Sequence, residues 1–510
     1  MTGHYSSNRI RASMLAFAVG KAISAPLSFV LILMLASVMS REQYAAYVAA
    51  IAMLEIGIVL GTFGVEWVTQ TALASIRVHG NAAQLRRAVL LLGALPALPY
   101  LTLGVGLWAA APRVSSLLGG VASPEVLRLY AVVLAIEGPT RLLRDSLMAV
   151  LLLQRTAQVS QVLRVAVVFA AVGAAVWAGR PVEAVDVARI EIAAAAISLV
   201  TVAAALARFL WVERPRERMD ARLDGWLGRH SVRFAGHAYG SLVMMLLIGT
   251  DVMTALVARY LGADATAAFG FVVRLVETAR RYLPMDMFWG VLRPAAIGRY
   301  EDNGRDVRQL MLDCNRMVEG NFLAVGAALA VALAAGDGLV ALLSRGNVHP
   351  PALLLAALLP ILATHTVRRA VELIAYVRER SSTFARAAAC CLAAPPAAVL
   401  LLATTGAAHG APLAVFAIDV AFIALAVHGL RAGGELVEFD LGRWLRLAVT
   451  IVLSGALGMA LARAFGGTTG IVTGSLVALC AYAAGVVVLR VVDARDRSFV
   501  ASVLRRRARA

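Results

Sequence analysis

Charged side chains sit inside the longest apolar stretches of this sequence, at spacings unlike those of a solvated face. Glu137, Arg141, Arg144 and Asp145 are four, seven and eight residues apart in one apolar run, which places them on one side of a helix. His365, Arg368, Arg369 and Glu372 repeat the arrangement in a later run. In a third, Arg274, Glu277 and Arg281 share a face, with Arg280 beside it. Lys21, Glu55, Glu66 and Asp251 stand singly in other runs. A charge at the centre of a bilayer costs roughly 2.5–3.5 kcal/mol on insertion scales, so these groups must face protein or a water-filled cavity. Two chemistries are open to them. Arginine and glutamate three or four apart can pair with each other, and those near a span end can reach water along their stems. Alternatively the guanidinium forks grip an anion while the carboxylates balance charge or titrate. Asp251 has no partner in its own helix and reads as a cavity or ion-coupling residue, whereas Glu66, Arg164, Arg259 and Asp419 read as terminal or structural. Gly57, Gly61 and Gly64 near Glu55 read as sites of close helix packing.

The elements that must position these residues are membrane spans. Of the 510 residues, 60% are hydrophobic and 15% charged, and the mean hydropathy is +0.79. The apolar stretches are about 20 residues long, enough to cross a hydrocarbon layer of ~30 Å at 1.5 Å per helical residue. Spans are expected near residues 14–38, 44–68, 88–111, 126–152, 159–178, 187–210, 234–260, 266–291, 322–343, 352–375, 384–404, 412–430, 445–464 and 471–491. The runs are continuously apolar, which argues against the alternating strands of a transmembrane barrel. The net charge of +17 does not indicate nucleic acid, because the arginines lie between apolar segments and not on one soluble face. Residues 14–38 are too long for the core of a signal peptide and read as a permanent span. Cys314, Cys390, Cys391 and Cys480 lie in or beside apolar segments without metal-ligand spacing and read as packing residues, so no metal and no cofactor is expected. Pro395-Pro396 is expected to kink the eleventh span.

Arginine placement sets the expected topology. Twenty-five arginines, from Arg9 and Arg11 to the tail Arg505, Arg506, Arg507 and Arg509, fall in one set of connections, and Arg41, Arg113, Arg180 and Arg345 in the other. Both termini are therefore expected in the cytoplasm. The longest polar connection, residues 211–231, reads as a linker, partly an amphipathic helix on the membrane surface. It divides the spans six before and eight after. The halves echo each other. Ala36, Ala45, Ala46 and Tyr47 match Ala258, Ala267, Ala268 and Phe269 at a spacing of 222, and Leu134, Ala135 and Arg141 match Leu362, Ala363 and Arg369 at 228. The expected fold is all-α and polytopic: two pseudo-symmetric six-helix lobes, residues 1–225 and 226–435, and two peripheral helices with a basic tail, residues 436–510.

Two segments carry a family resemblance. LASVMSREQYAAYVAAIAMLEIGIVLGTFGVEW, from Leu35, and GTDVMTALVARYLGADATAAFGFVVRLVETARRY, from Gly249, resemble the polysaccharide-synthesis (O-antigen and exopolysaccharide flippase) family of the multidrug, oligosaccharidyl-lipid and polysaccharide exporter superfamily. Length, fourteen crossings and the six-plus-six-plus-two division agree with it. Residues 266–269, Thr-Ala-Ala-Phe, depart from the glycine and tyrosine more usual in that turn. The resemblance implies a V-shaped, non-enzymatic transporter of the bacterial inner membrane, whose lobes enclose a cavity opening alternately to either side. The implied cargo is a polyprenyl-diphosphate-linked oligosaccharide, and the implied partners are membrane lipids and polysaccharide polymerase or assembly proteins, not nucleic acid. An anionic diphosphate calls for a cationic cavity, and Arg141, Arg144, Arg274, Arg281, Arg368, Arg369 and Lys21 are the candidates to line it. Asp251, Glu55, Glu137, Glu277, Glu372 and His365 are the ion-coupling candidates. Three alternatives stay open: a cation-coupled drug or metabolite antiporter of the same superfamily, a lipid II flippase, and a membrane-embedded glycosyltransferase or polymerase. The last is disfavoured by short outward loops, the longest being about residues 112–125, and ATP-driven transport by the lack of a Walker-type loop.

Overall fold

The computed structural model describes residues 7–69, 73, 76–77, 81–212, 229–283, 285–286, 307–350, 353–378, 380–434, 437 and 439–491. Most of the expected linker and the arginines of the tail lie outside them. Every regular element among the described residues is a helix, and none is a strand. In chain order they form α1 (Ser7–Val38), α2 (Arg41–Gly61), α3 (Ala82–Ala94), α4 (Ala97–Leu117), α5 (Pro124–Leu142), α6 (Gln154–Trp177), α7 (Ala184–Val212), α8 (Arg229–Leu246), α9 (Thr250–Arg280), α10 (Val307–Leu343), α11 (Leu354–Val377), α12 (Ser381–Ala388), α13 (Ala394–Thr405), α14 (Gly410–Ala432), α15 (Leu441–Phe465) and α16 (Gly467–Val488).

Local chemistry fixes the helix starts. Ser40 caps α2 by accepting from the Gln43 amide, Asn81 and Gln84 form a reciprocal capping box on α3, and Ser123 caps α5 just ahead of Pro124. Among the described residues, twelve stretches are long and apolar enough to cross a membrane. One of them, residues 235–280, contains two crossings, because α9 folds back on itself at Gly262. There φ is 76° and ψ −168°, a conformation that essentially only glycine adopts. α5 falls outside the twelve only because its charges lower its apolarity. Counting α5 and both arms of α9 gives fourteen helical passes, as expected from the sequence.

Details of the spans differ from the expectation. α4 runs through Pro112 to Leu117, so the connection to α5 shrinks to residues 118–123. The eleventh span breaks ahead of its prolines, as a 3₁₀ turn at Ala389–Ala393, and Pro395 and Pro396 open the new helix α13, where a missing amide costs least. α5 carries Pro139 and then a wide π turn at Leu143–Leu147, which shifts the faces of everything that follows.

Two compact units are present: residues 1–278 with 384–418, and residues 279–383 with 419–510. In the first, α5 packs on α2, α4 and α7, and α6 on α1 and α7. Tyr100 of α4 is fully buried between Gly61 of α2 and Gly138 of α5, where a Cβ on either glycine would run into its ring. Its hydroxyl donates to the Ile58 carbonyl at 3.0 Å. In the second unit, α15 and α16 pack on each other and on α10. Outward-facing side chains such as Leu98, Val105, Val200, Val452, Leu453 and Val488 are apolar and exposed, which suits hydrocarbon and not water.

Candidate functional site

In the first unit the charges of α5 meet partners from two other helices, and a third joins through one of them. Glu137 is 0% exposed and sits among three guanidiniums, those of Arg164 at 3.3 Å and of Arg141 and Arg144 at 3.7 Å. Arg164 comes from α6 and also grips Glu191 of α7 at 2.9 Å. Arg141 turns both terminal nitrogens to Glu55 of α2, at 2.6 and 3.1 Å, a two-pronged contact. This pair is the accessible edge of the network, with Arg141 26% and Glu55 24% exposed. Arg144 is buried and holds Asp145 at 3.2 Å, but Asp145 is 60% exposed, because the π turn carries it off the face shared by the other three. Three arginines therefore face three glutamates in the interior, and the network closes on itself electrically.

The fold-back of α9 supplies a second pair in the same unit. Arg274 on its returning arm reaches Asp251 on the outgoing arm at 3.5 Å, so Asp251 has the partner that its own turn of helix lacked. Thr250 donates to Glu277 across the same two arms at 3.3 Å. Arg274 also lies within electrostatic reach of Glu55. Lys21 of α1 places its ammonium 5.5 Å from the centre of the Phe17 ring one turn away.

In the second unit α11 organises a chain of hydrogen bonds. Arg368 binds fully buried Asp419 of α14 at 2.6 Å and His365 Nδ1 at 2.8 Å, while His365 Nε2 meets Asp286 at 3.2 Å. A guanidinium only donates, so Nδ1 accepts, and the imidazole is neutral with its proton on Nε2, given to Asp286. Arg369 pairs with Glu372 at 3.0 Å. Asn321 of α10 accepts from the Met285 amide at 3.0 Å and donates to Thr366 at 3.1 Å, tying this chain to its surroundings.

The expected residues thus fall into separate sets: Arg141, Arg144, Glu137 and Glu55 together; Arg274, Asp251 and Glu277 together; His365 with Arg368; and Arg369 with Glu372. Arg281 lies past the end of α9 on an exposed turn. Sequence reasoning missed Glu191, Asp286 and Asn321, and read Arg164 and Asp419 as terminal or structural. In the structure Arg164 bridges α5 to α7, and Asp419 anchors the α11 chain. One signal for Arg164 was available: Gln158, Gln161 and Arg164 recur every three residues, a polar stripe that reaches into the apolar part of the helix.

No sequence family matches the chain, and no curated protein matches it in sequence. Solved structures do. The lipid II flippase MurJ in an inward closed conformation superposes with a TM-score of 0.65 at 10% identity, over 93% of this chain and 99% of that one. An inward-facing multidrug resistance MATE family transporter of the MOP superfamily gives 0.59 at 15% identity, over 82% and 98%. The Vibrio cholerae MATE transporter VcmN gives 0.52 at 15% identity, over 83% and 97%. The chain has the fold that these MOP-superfamily transporters share.

Proposed function

We propose that the protein is a non-enzymatic flippase that moves a polyprenyl-diphosphate-linked oligosaccharide from the cytoplasmic to the periplasmic leaflet, for cell-surface or exopolysaccharide synthesis, by alternating access. It would sit in the bacterial inner membrane with both termini cytoplasmic, and its two six-helix lobes would frame the path. Polysaccharide polymerase or assembly proteins would take up the product.

The observation that carries this reading is the Arg141–Glu55 contact. A guanidinium deep in an apolar helix bundle presents its fork in the two-pronged geometry that a phosphate accepts, at the edge of the network that solvent can reach. Arg274 lies close by, and Arg368 and Arg369 are the corresponding candidates on α11. The fold shared with a lipid II flippase supports a lipid-linked cargo.

A second reading, a cation-coupled drug or metabolite antiporter, is favoured by the matched charges around Glu137, which leave that cluster without a net positive charge. One assay separates the two. Purified protein in proteoliposomes is given a labelled lipid diphosphate oligosaccharide, and its accessibility on each side is followed. Translocation is expected in wild type and is expected to fall at least about tenfold in Arg141→Ala, Arg369→Ala and Asp251→Asn. A wild type that leaves the lipid in place but exchanges an organic cation for protons would refute the flippase reading.

A further inference from the structure

We infer that Glu55 is a proton-linked place-holder for the anion: an external oxyanion takes Arg141 only as Glu55 takes up a proton, so anion and proton bind to this site together. The inference rests on the flippase reading of the same residues and adds how the site is controlled.

Three features lead to it. First, the two carboxylate oxygens of Glu55 occupy the end of the Arg141 fork, one on each terminal nitrogen, so a phosphate or sulfate that docks two-pronged on that end must displace them. Second, the interior charges are already matched, Arg141, Arg144 and Arg164 against Glu55, Glu137 and Glu191. An added anion would stand within a few ångströms of an ionised carboxylate in a medium where like charges repel strongly. Neutralising one carboxylate removes the conflict. Third, only one of the three is placed to accept the proton and withdraw. Glu137 and Glu191 are buried and held by Arg164, whereas Glu55 comes from a different helix and is a quarter exposed.

The charged and titratable groups around Glu55 are Arg141 and Glu137 on α5, Arg164 on α6, Glu191 on α7, Arg274 on α9 and Tyr47 on α2 itself. α4 and α8 contribute Tyr100 and Tyr239, whose hydroxyls donate to α2 carbonyls, and α1 contributes Lys21, over Phe17. Among these, Arg141 is a direct partner of Glu55, and the linkage follows from the competition of Glu55 and the anion for it.

The test is anion binding by the purified full chain in detergent, measured calorimetrically from pH 5 to 9 in buffers of different ionisation heat. Sulfate serves as the probe because its charge is constant over this range, and undecaprenyl diphosphate serves as the lipid. Wild type is expected to take up one proton per sulfate and to lose up to about tenfold in affinity per pH unit above the titration of the carboxyl. Glu55→Gln is expected to bind with a flat pH profile and no proton uptake, at least about tenfold tighter than wild type at the alkaline end. Glu55→Asp, which still titrates, is expected to keep the pH dependence. Equal pH dependence in wild type and Glu55→Gln, or no sulfate binding to wild type at all, would overturn the place-holder. Linked sulfate binding with no binding of the lipid would instead overturn the flippase substrate and leave the place-holder intact.

Discussion

Replacing Arg164 with methionine isolates the energetics of the buried network. Its guanidinium is 13% exposed and lies 2.9 Å from Glu191, itself 8% exposed, and 3.3 Å from Glu137. At an effective dielectric of about 20, a pair of unit charges 3 Å apart attracts by about 5 kcal/mol, against a desolvation cost of several kcal/mol for each ion. The net value of the intact network is therefore small, yet removing one member is not. Glu137 would keep Arg141 and Arg144 near it. Glu191, with no other ion pair among the described residues, would become an uncompensated buried carboxylate. The expected loss is about 3–5 kcal/mol of stability. A second change, Glu191→Leu, removes the stranded charge, so the double variant is expected to recover most of that loss. The assay is reversible unfolding in mixed micelles, with both single variants and the double forming a thermodynamic cycle. Arg189, exposed and loosely paired with Glu125 and Asp186, is the control, and its replacement by alanine should cost about 0.5 kcal/mol or less. If Arg164→Met lies within about 1 kcal/mol of wild type, or if the double variant is worse than either single, the network does not hold α6 to α7 electrostatically.

Two further outcomes follow from the geometry. Gly262→Ala forces a side chain into a backbone region reserved for glycine, although the space around it is open, so a loss of about 1–3 kcal/mol is expected, read by the same unfolding assay. The tautomer of His365 is readable by nitrogen NMR of histidine-labelled protein. Wild type should show the proton on Nε2, and Arg368→Met, which frees Nδ1, should let the tautomer with the proton on Nδ1 appear beside it.

The spans were legible because each is a long apolar run, and the cluster on α5 because its charges recur at helical spacing. What joins the clusters was not legible. Glu55 and Arg141 are 86 residues apart, and His365 and Asp286 are 79 apart, so their pairing depends on which helices become neighbours. A single sequence does not record adjacency between helices. Asp419 is the only acidic residue of α14, and Glu191 has no arginine three or four residues away, which removes the intrahelical signal that drew attention to Glu137 and Arg141. Pro112 reads as a loop opener by composition, yet α4 continues through it, since one missing amide costs a helix less than exposing several backbone groups to hydrocarbon. The displacement of Asp145 could not be foreseen either, because 3.6-residue periodicity fails wherever a turn is widened.

The ring of Tyr100 works as a key seated in two slots at once, one cut into α2 at Gly61 and one into α5 at Gly138. Neither of those helices can slide lengthwise past α4 without driving backbone into the ring and breaking the bond to Ile58. Glu55 and Arg141 lie within two turns of these slots on the same two helices. Their spacing is thereby indexed to a joint that does not slip, so the two side chains can trade partners while α2 and α5 stay locked to α4.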